Sequence, residues 1–105
     1  MKNTFAQFLN KTITVKLNSG EEFIAKVAEV PEEGTFIKVD TPVSIGGGQK
    51  GLQLIPSMFT ADPDSLVTIN TTCVAMVTIT EDSIRMKYVE ATTGIQLPEK
   101  KIILG

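Results

Sequence analysis

Three glycines in the middle of the chain have the spacing of a nucleotide-binding motif. Gly46, Gly48 and Gly51 match G-x-G-x-x-G, which binds a pyrophosphate when it joins a strand to the first turn of a helix. The residues that follow, LQLIP, alternate as a strand does and stop at Pro56. Because this pattern does not predict a helix after the glycines, we interpret them as the tip of a β-hairpin.

Acidic side chains occur in pairs that could bind a cation or transfer a proton. Asp62 and Asp64 lie close together, but the twelve-residue calcium loop with its terminal glutamate is missing, and aspartate is a common turn residue. The pairs at 32–33 and 81–82 suit a turn and the first turn of a helix. We therefore predict neither a metal site nor a catalytic pair of carboxylates.

The residues that most often act as nucleophile and general base are nearly absent. The chain has no histidine and a single cysteine, Cys73, with no basic neighbour in sequence to activate its thiol. A lone cysteine closes no intrachain disulfide, and zinc sites need several Cys or His ligands. We expect a protein that is not an enzyme and holds no cofactor.

Length and charge narrow the class of protein. The 105 residues suffice for one domain with a single core, which we place at residues 1–95, with 96–105 as a C-terminal tail. The formal charge of −2 argues against binding RNA or anionic membranes through net charge and leaves room only for a local basic patch. We find neither a signal peptide nor a membrane span and expect the cytoplasm as the location.

Alternating apolar and polar residues predict the strands that position these side chains. Residues 11–30, KTITVKLNSGEEFIAKVAEV, alternate on both sides of Gly20 and predict a hairpin whose turn needs a positive φ. Pairing Leu17 with Phe23 would place one apolar face against the core. Pro42 indicates an edge position or a bulge in the third strand. Further strands are predicted at residues 35–45, 51–55, 65–70 and 74–79.

A short helix is expected at each end of this strand region. At the N-terminus, three apolar residues share one face of a helix of about two turns: Phe5, Phe8 and Leu9. Near the C-terminus, Thr80 has the residue type of an N-cap before an acidic first turn, and Gly94 suits the helix end. Alternation over residues 84–88 also permits a strand, and the helix is the preferred interpretation.

Residues 4–30 resemble the start of an Sm-like (LSm) domain. The first motif of that family places alternating apolar residues before L-x-x-G-x-x-[apolar]-x-G-x-[apolar]. This chain has Leu17, Gly20 and Phe23 at the signature positions and Ala25 in place of the second glycine. The resemblance implies a mostly β fold, a strongly bent five-stranded antiparallel barrel with the N-terminal helix across its open end. It also implies a homo-oligomeric ring of five to seven subunits that binds RNA around its pore.

The chain departs from the family in the residues that read RNA. The family continues with Asp and Met-Asn where this chain has Pro31, Gly34 and Thr35, and the position that often stacks on a base is Glu33. The family's Arg or His before the last strand is also missing. The resemblance therefore implies weak RNA binding, or a shifted site that uses lysines. The candidate RNA contacts are Glu33, Thr35, Asn70, Thr71, Thr72 and Lys50.

The segment VAMVTI at residues 74–79 is apolar on both faces and carries no charge or proline to protect a free edge. Pairing it head to tail with a second copy would close a ring, which is the preferred interpretation. The alternative is a central strand within one chain. The candidate interface residues are Val74, Met76, Val77 and Ile79. Two other functions stay open: a structural or assembly ring that has lost RNA binding, and a different small barrel that binds proteins.

Overall fold

The structure, a computed structural model, describes residues 2–48 and 51–93. Its element order is a 3₁₀ turn at Ala6–Phe8, β1 at Thr12–Leu17, β2 at Glu22–Glu29, β3 at Phe36–Gly48, β4 at Gly51–Pro56, β5 at Val67–Asn70, a 3₁₀ turn at Thr71–Cys73, β6 at Val74–Ile79 and α1 at Asp82–Thr92. The prediction of a mostly β fold is confirmed.

All six strands form one antiparallel sheet in the order β4-β3-β2-β1-β6. β5 pairs with the first half of β3, and β4 pairs with its second half. In the part of the chain that the structure describes, β6 does not pair with β4 or β5, so the sheet is open. The five-stranded barrel that the resemblance implied is therefore wrong in strand number and in closure, whereas the six strands predicted from alternation are present. β4 corresponds to the strand predicted at residues 51–55, and it pairs with the end of β3 that contains Gly46, Gly47 and Gly48.

The β1–β2 hairpin turns at Gly20, which has a φ of 97°. Its turn is closed by the N–H of Leu17, which donates to the carbonyl of Glu21 at 2.8 Å. Val15 therefore lies opposite Phe23, and the predicted pairing of Leu17 with Phe23 is wrong by two residues. A two-residue shift keeps every side chain on its face, so the predicted apolar face is confirmed.

The sheet buries apolar side chains on both faces. One face carries the larger core, made of Phe5, Ile13, Val15, Phe23, Ala25, Val27, Ile37 and Val39. The other face carries a smaller core in which Tyr88 of α1 packs on Ile24 and Val43. Because α1 covers this second face, Ile24 is buried, although in the alternating pattern of residues 11–30 it lies on the face opposite the predicted apolar one.

A bulge interrupts the pairing of β2 with β3. Ile24 lies opposite Val43, whereas Lys26 lies opposite Asp40, so β3 contains one extra residue between these pairs. Thr41 at this point has a φ of 44°, which non-glycine residues adopt rarely. The interpretation of Pro42 as a bulge is confirmed.

The N-terminal segment is a single 3₁₀ turn, and the predicted two-turn helix is wrong. The buried side chain of Asn3 accepts a hydrogen bond from the N–H of Phe5 at 3.1 Å and donates to the carbonyl of Phe36 at 2.8 Å. These contacts dock the segment on the sheet. Two turns of helix are marginal without such docking, and the positive φ of Asn10, 66°, directs the chain into β1.

The C-terminal segment is an α-helix, so the strand alternative over residues 84–88 is wrong. Its N-cap is Glu81, whose carboxylate accepts from the N–H of Ile84 at 3.3 Å. Thr80, predicted as the cap, is buried and shares a hydrogen bond of 3.0 Å with Thr14. Gly94 and the tail at 96–105 lie outside the described residues. No helix within residues 2–48 and 51–93 is long and apolar enough to cross a membrane.

Candidate nucleic-acid interface

Two turns that are far apart in the sequence meet at one end of β3. The N–H of Thr71 donates to the carbonyl of Thr35 at 2.8 Å, and the next residue, Phe36, lies opposite Asn70 in the β3–β5 ladder. Four of the six candidate RNA contacts are therefore close together. We call the patch formed by Thr35, Phe36, Asn70, Thr71 and Thr72 the Phe36 surface.

Local side-chain hydrogen bonds shape the 3₁₀ turn at Thr71–Cys73. The Oδ1 atom of Asn70 accepts from the backbone N–H of Thr72 at 3.0 Å and from its hydroxyl at 2.7 Å, as an N-cap residue does. The β1–β2 hairpin contacts the same turn, because the N–H of Asn18 donates to the carbonyl of Cys73 at 2.8 Å. The β1–β2 hairpin thus contacts the turn that carries part of the Phe36 surface.

The polar groups of the Phe36 surface are mainly donors. Because Oδ1 of Asn70 is engaged within the turn, its Nδ2 group is the part of the amide left for a ligand. The hydroxyl of Thr35 is exposed on the neighbouring turn. An amide donor and a hydroxyl can bind the acceptor atoms on the edge of an unpaired base.

Phe36 supplies an aromatic ring that the sequence reasoning missed. Its side chain is 39% exposed, and it lies beside Gly34, where a Cβ atom would come within 3.7 Å of the ring. Aromatic rings exposed in this way are the usual stacking platforms for single-stranded bases. Strand alternation could have predicted its exposure, because Ile37 and Val39 occupy the core positions and Phe36 therefore lies on the outer face.

Charges of both signs border the Phe36 surface. Glu33 is exposed in the same turn as Thr35, and its backbone forms an isolated bridge with Lys2. Lys38 is partly buried two residues beyond Phe36 on β3. Lys50, the remaining candidate RNA contact, lies outside the described residues. The local charge is therefore mixed, and it offers an RNA phosphate less attraction than a basic patch would.

The candidate interface strand β6 lies at one end of the sheet, where β1 is its partner in the described part of the chain. It is an edge strand and not a central one. Met76 is 67% exposed and Ile79 is also exposed, whereas Val74 and Val77 are partly buried against the larger core. At the other end of the sheet, β5 pairs with β3 through four residues.

A second apolar surface lies in the gap between β4 and β5. The groove there encloses about 260 Å³ and is lined mainly by proline and apolar side chains, among them Pro42, Met58 and Phe59. Phe59 is 60% exposed. Within residues 2–48 and 51–93, no three His, Cys, Asp or Glu side chains are grouped so that they could hold a metal ion.

Comparison with known proteins returns no match, either among protein-family models or among curated proteins. The resemblance to Sm-like domains consequently rests on the residue pattern of 4–30. The geometry of the Phe36 surface and of the two sheet ends rests on the structure.

Proposed function

We propose that this chain is a subunit of an Sm-like homo-oligomeric ring that binds single-stranded RNA. The observation that carries the proposal is the hydrogen bond from Thr71 to Thr35, which joins two turns into one donor surface beside an exposed aromatic ring. The surface also borders β5, an edge strand at one end of the sheet. RNA contacts and subunit contacts would then be neighbours.

The two ends of the sheet support the ring. β6 ends the sheet on one side, and β4 and β5 pair with different halves of β3 on the other. β6 of one copy can therefore pair with β5 of the next. Such a contact is heterologous, and it closes into a ring when the rotation per subunit divides a full turn. The Sm-like resemblance implies five to seven subunits. Each junction would lie next to one Phe36 surface.

The RNA-binding surface combines stacking with hydrogen bonds to the base. A base stacked on Phe36 would contribute about 1–3 kcal/mol, and the amide of Asn70 would bind an acceptor on its edge. Glu33 and the net charge of −2 oppose the phosphates, so we expect binding in the micromolar range that weakens as salt is added.

The alternative is a structural or assembly ring that does not bind RNA. It is favoured by the acidic side chain of Glu33 beside Thr35 and by the internal use of Asn70 Oδ1, which leaves the amide unable to present both a donor and an acceptor to one base. In this alternative β6 still pairs with a neighbouring copy, but the ring has no RNA ligand.

Binding of short U-rich and A-rich RNA, measured by fluorescence anisotropy at low salt, tests the proposal. We expect Phe36→Ala to raise Kd by about 5- to 150-fold, the equivalent of one lost stacking interaction. Phe59→Ala is the matched control, because Phe59 is an exposed phenylalanine outside the Phe36 surface, and its Kd should stay at the wild-type value.

Two results would contradict parts of the proposal. A wild-type protein that binds neither RNA, while it still assembles, would favour the structural ring. Light scattering that finds only the 11.4 kDa chain at micromolar concentration would refute the ring itself.

A further inference from the structure

A cleft with both charged and apolar lining lies between α1 and the sheet, and it shares no residue with the Phe36 surface. It encloses about 560 Å³, with Arg85, Tyr88 and Val89 on its helix side and Lys26 and Asp40 on its sheet side. This volume falls in the range of roughly 300–1,000 Å³ that is typical of small-ligand sites. A nucleotide-sized molecule can therefore enter it.

The cleft is positively charged although the chain as a whole is negative. Among the described residues that line it, three are cations, Lys11, Lys26 and Arg85, and one is a carboxylate, Asp40. Outside the lining, Asp82 forms an ion pair with Arg85 at 3.5 Å on the exposed surface of α1. Three cations against one carboxylate give the lining a formal charge of +2, in contrast with −2 for the whole chain. An anion is the ligand that this distribution favours.

Backbone contacts hold the three cations around the same space. Lys11 and Lys26 lie on adjoining segments, because the N–H of Val27 donates to the carbonyl of Lys11 at 2.9 Å. The hydroxyl of Tyr88 accepts from the N–H of Lys26 at 3.2 Å, and Arg85 lies one helical turn before Tyr88 on the same face. The helix is thus fixed over the sheet, and Arg85 and both lysines line the same cleft.

The cleft also has an apolar part. Val89 and Ile79 line it and are both exposed large apolar residues. A guanidinium binds a phosphate through paired hydrogen bonds, and apolar side chains next to it favour a flat ring over a bare ion. A nucleotide is a ligand that carries both a phosphate and a flat ring.

We infer that this cleft binds a nucleotide, with its phosphate on Arg85, Lys26 and Lys11 and its base against Val89 and Ile79. The nucleotide is either free or one unit of an RNA chain. The inference is independent of the Phe36 surface, since it uses residues of α1, β2, β6 and the segment before β1. It shares one residue, Ile79, with the candidate subunit interface on β6.

Titration of the full chain with adenosine monophosphate, followed by calorimetry and by the shifts of backbone amide NMR signals, tests this site. We expect Arg85→Gln and Lys26→Gln each to raise Kd at least tenfold, and Asp40→Asn to lower it several-fold. Lys87→Gln is the matched control, because it removes the same charge from α1 outside the cleft lining, and it should leave Kd unchanged. The shifted signals should include Lys26, Val89 and Thr92.

Comparing the affinities of several ligands tests whether base and phosphate are both bound, and whether the nucleotide is free or part of an RNA chain. Adenosine and inorganic phosphate should each bind at least tenfold more weakly than adenosine monophosphate. A short RNA that binds more tightly than the mononucleotide, and loses this binding in Arg85→Gln, assigns the cleft to RNA. Equal affinities assign it to a free nucleotide, and both results support the site.

Other outcomes would overturn the inference. These are a loss of affinity in Lys87→Gln as large as in Arg85→Gln, equal binding of adenosine or of inorganic phosphate, and signal shifts confined to the Phe36 surface. Phe36→Ala separates this site from the proposed RNA-binding surface, because it should leave the Kd for adenosine monophosphate unchanged. Failure of one site is then distinguishable from failure of the other.

Discussion

The hydroxyl of Tyr88 bridges Lys26 to the opposite strand. Lys26 and Asp40 lie opposite each other beside the β3 bulge, and the hydroxyl oxygen lies between their backbone groups. It accepts from the N–H of Lys26 at 3.2 Å and donates to the carbonyl of Asp40 at 2.8 Å. The bulge and the helix are therefore one structural unit, in which α1 supplies a hydrogen bond at the irregular point of the sheet.

Replacement of Tyr88 by Phe should destabilise the protein by about 1–3 kcal/mol. The ring still fills its place against Ile24 and Val43, but the partly buried N–H of Lys26 loses its acceptor. An unsatisfied donor away from water costs about this much. Unfolding by urea measures the effect. Met86→Leu is the control, because Met86 is an exposed α1 residue and its replacement should change stability by less than about 0.5 kcal/mol. Equal stability of Tyr88→Phe and the wild type would show that the bridge is dispensable.

Tyr88 should also make stability depend on pH in the alkaline range. Burial raises the pKa of Tyr88 from 10.0 to about 12, and the charge of Asp40 acts in the same direction, whereas the hydrogen bond from Lys26 opposes them. Because the pKa in the folded protein is the higher one, this contribution is complete below pH 10 and is lost as the pH rises from 10 to about 12. It amounts to roughly 2–3 kcal/mol.

The measurement is direct, because the chain has one tyrosine and no tryptophan. The ultraviolet absorbance of tyrosinate therefore follows Tyr88 alone, and its midpoint in the folded protein should lie near 12. Unfolding curves at several pH values should lose their dependence on this group in Tyr88→Phe. A midpoint near 10 in the folded protein would contradict the burial of the hydroxyl.

Two glycines offer a matched test of the hairpin turn. Gly20 has a φ of 97°, and a Cβ atom at this position would meet no atom of the described residues within 4 Å. Gly20→Ala should therefore cost about 1–2 kcal/mol through backbone strain alone. Gly46 lies in β3 without a positive φ, and its Cβ would be 3.9 Å from the carbonyl of Gln53, an ordinary contact. Gly46→Ala should therefore keep or slightly raise stability. Thermal unfolding compares the two, and equal losses would refute the turn geometry.

A charge at Met76 should separate folding from assembly. Met76 is 67% exposed on the edge strand β6, so Met76→Lys should leave the fold intact and weaken pairing of β6 with a second copy. Sedimentation velocity should show smaller species. Met86→Lys adds the same charge at a 59% exposed position on α1 and should keep the wild-type size. If both variants sediment like the wild type, β6 is not the subunit interface.

Local alternation of apolar and polar residues predicted where the strands lie better than it predicted their register and the burial of their side chains. β6 has the predicted bounds, and the hairpin has the predicted apolar face. Its register was missed by two residues, because alternation is unchanged by such a shift. The burial of Ile24 was missed as well, since it depends on a helix some 60 residues later in the chain.

The Phe36 surface was predicted only in part, because it too depends on contacts between segments that are distant in the sequence. The sequence named Thr35 and residues 70–72 only as candidate RNA contacts, and the structure brings them together through the hydrogen bond from Thr71 to Thr35. Their binding of RNA stays a prediction. Phe36 was interpreted only as a strand residue, because a strand pattern gives the face of a side chain but not what covers that face. The cleft under α1 requires the docked position of the helix, which no local pattern contains.

The different edges of the sheet also bear on how many copies an assembly can hold. β6 lies at one side of the sheet, and β5 lies beside β4 at the other. A molecule that pairs its β6 with the β5 of a neighbour therefore has two different contact edges. Each added copy leaves one unpaired edge of each kind at the ends of the assembly, and only closure into a ring pairs both. The number of subunits is then set by the angle between the two contact edges of one subunit. The strength of each contact sets only the protein concentration at which the ring forms.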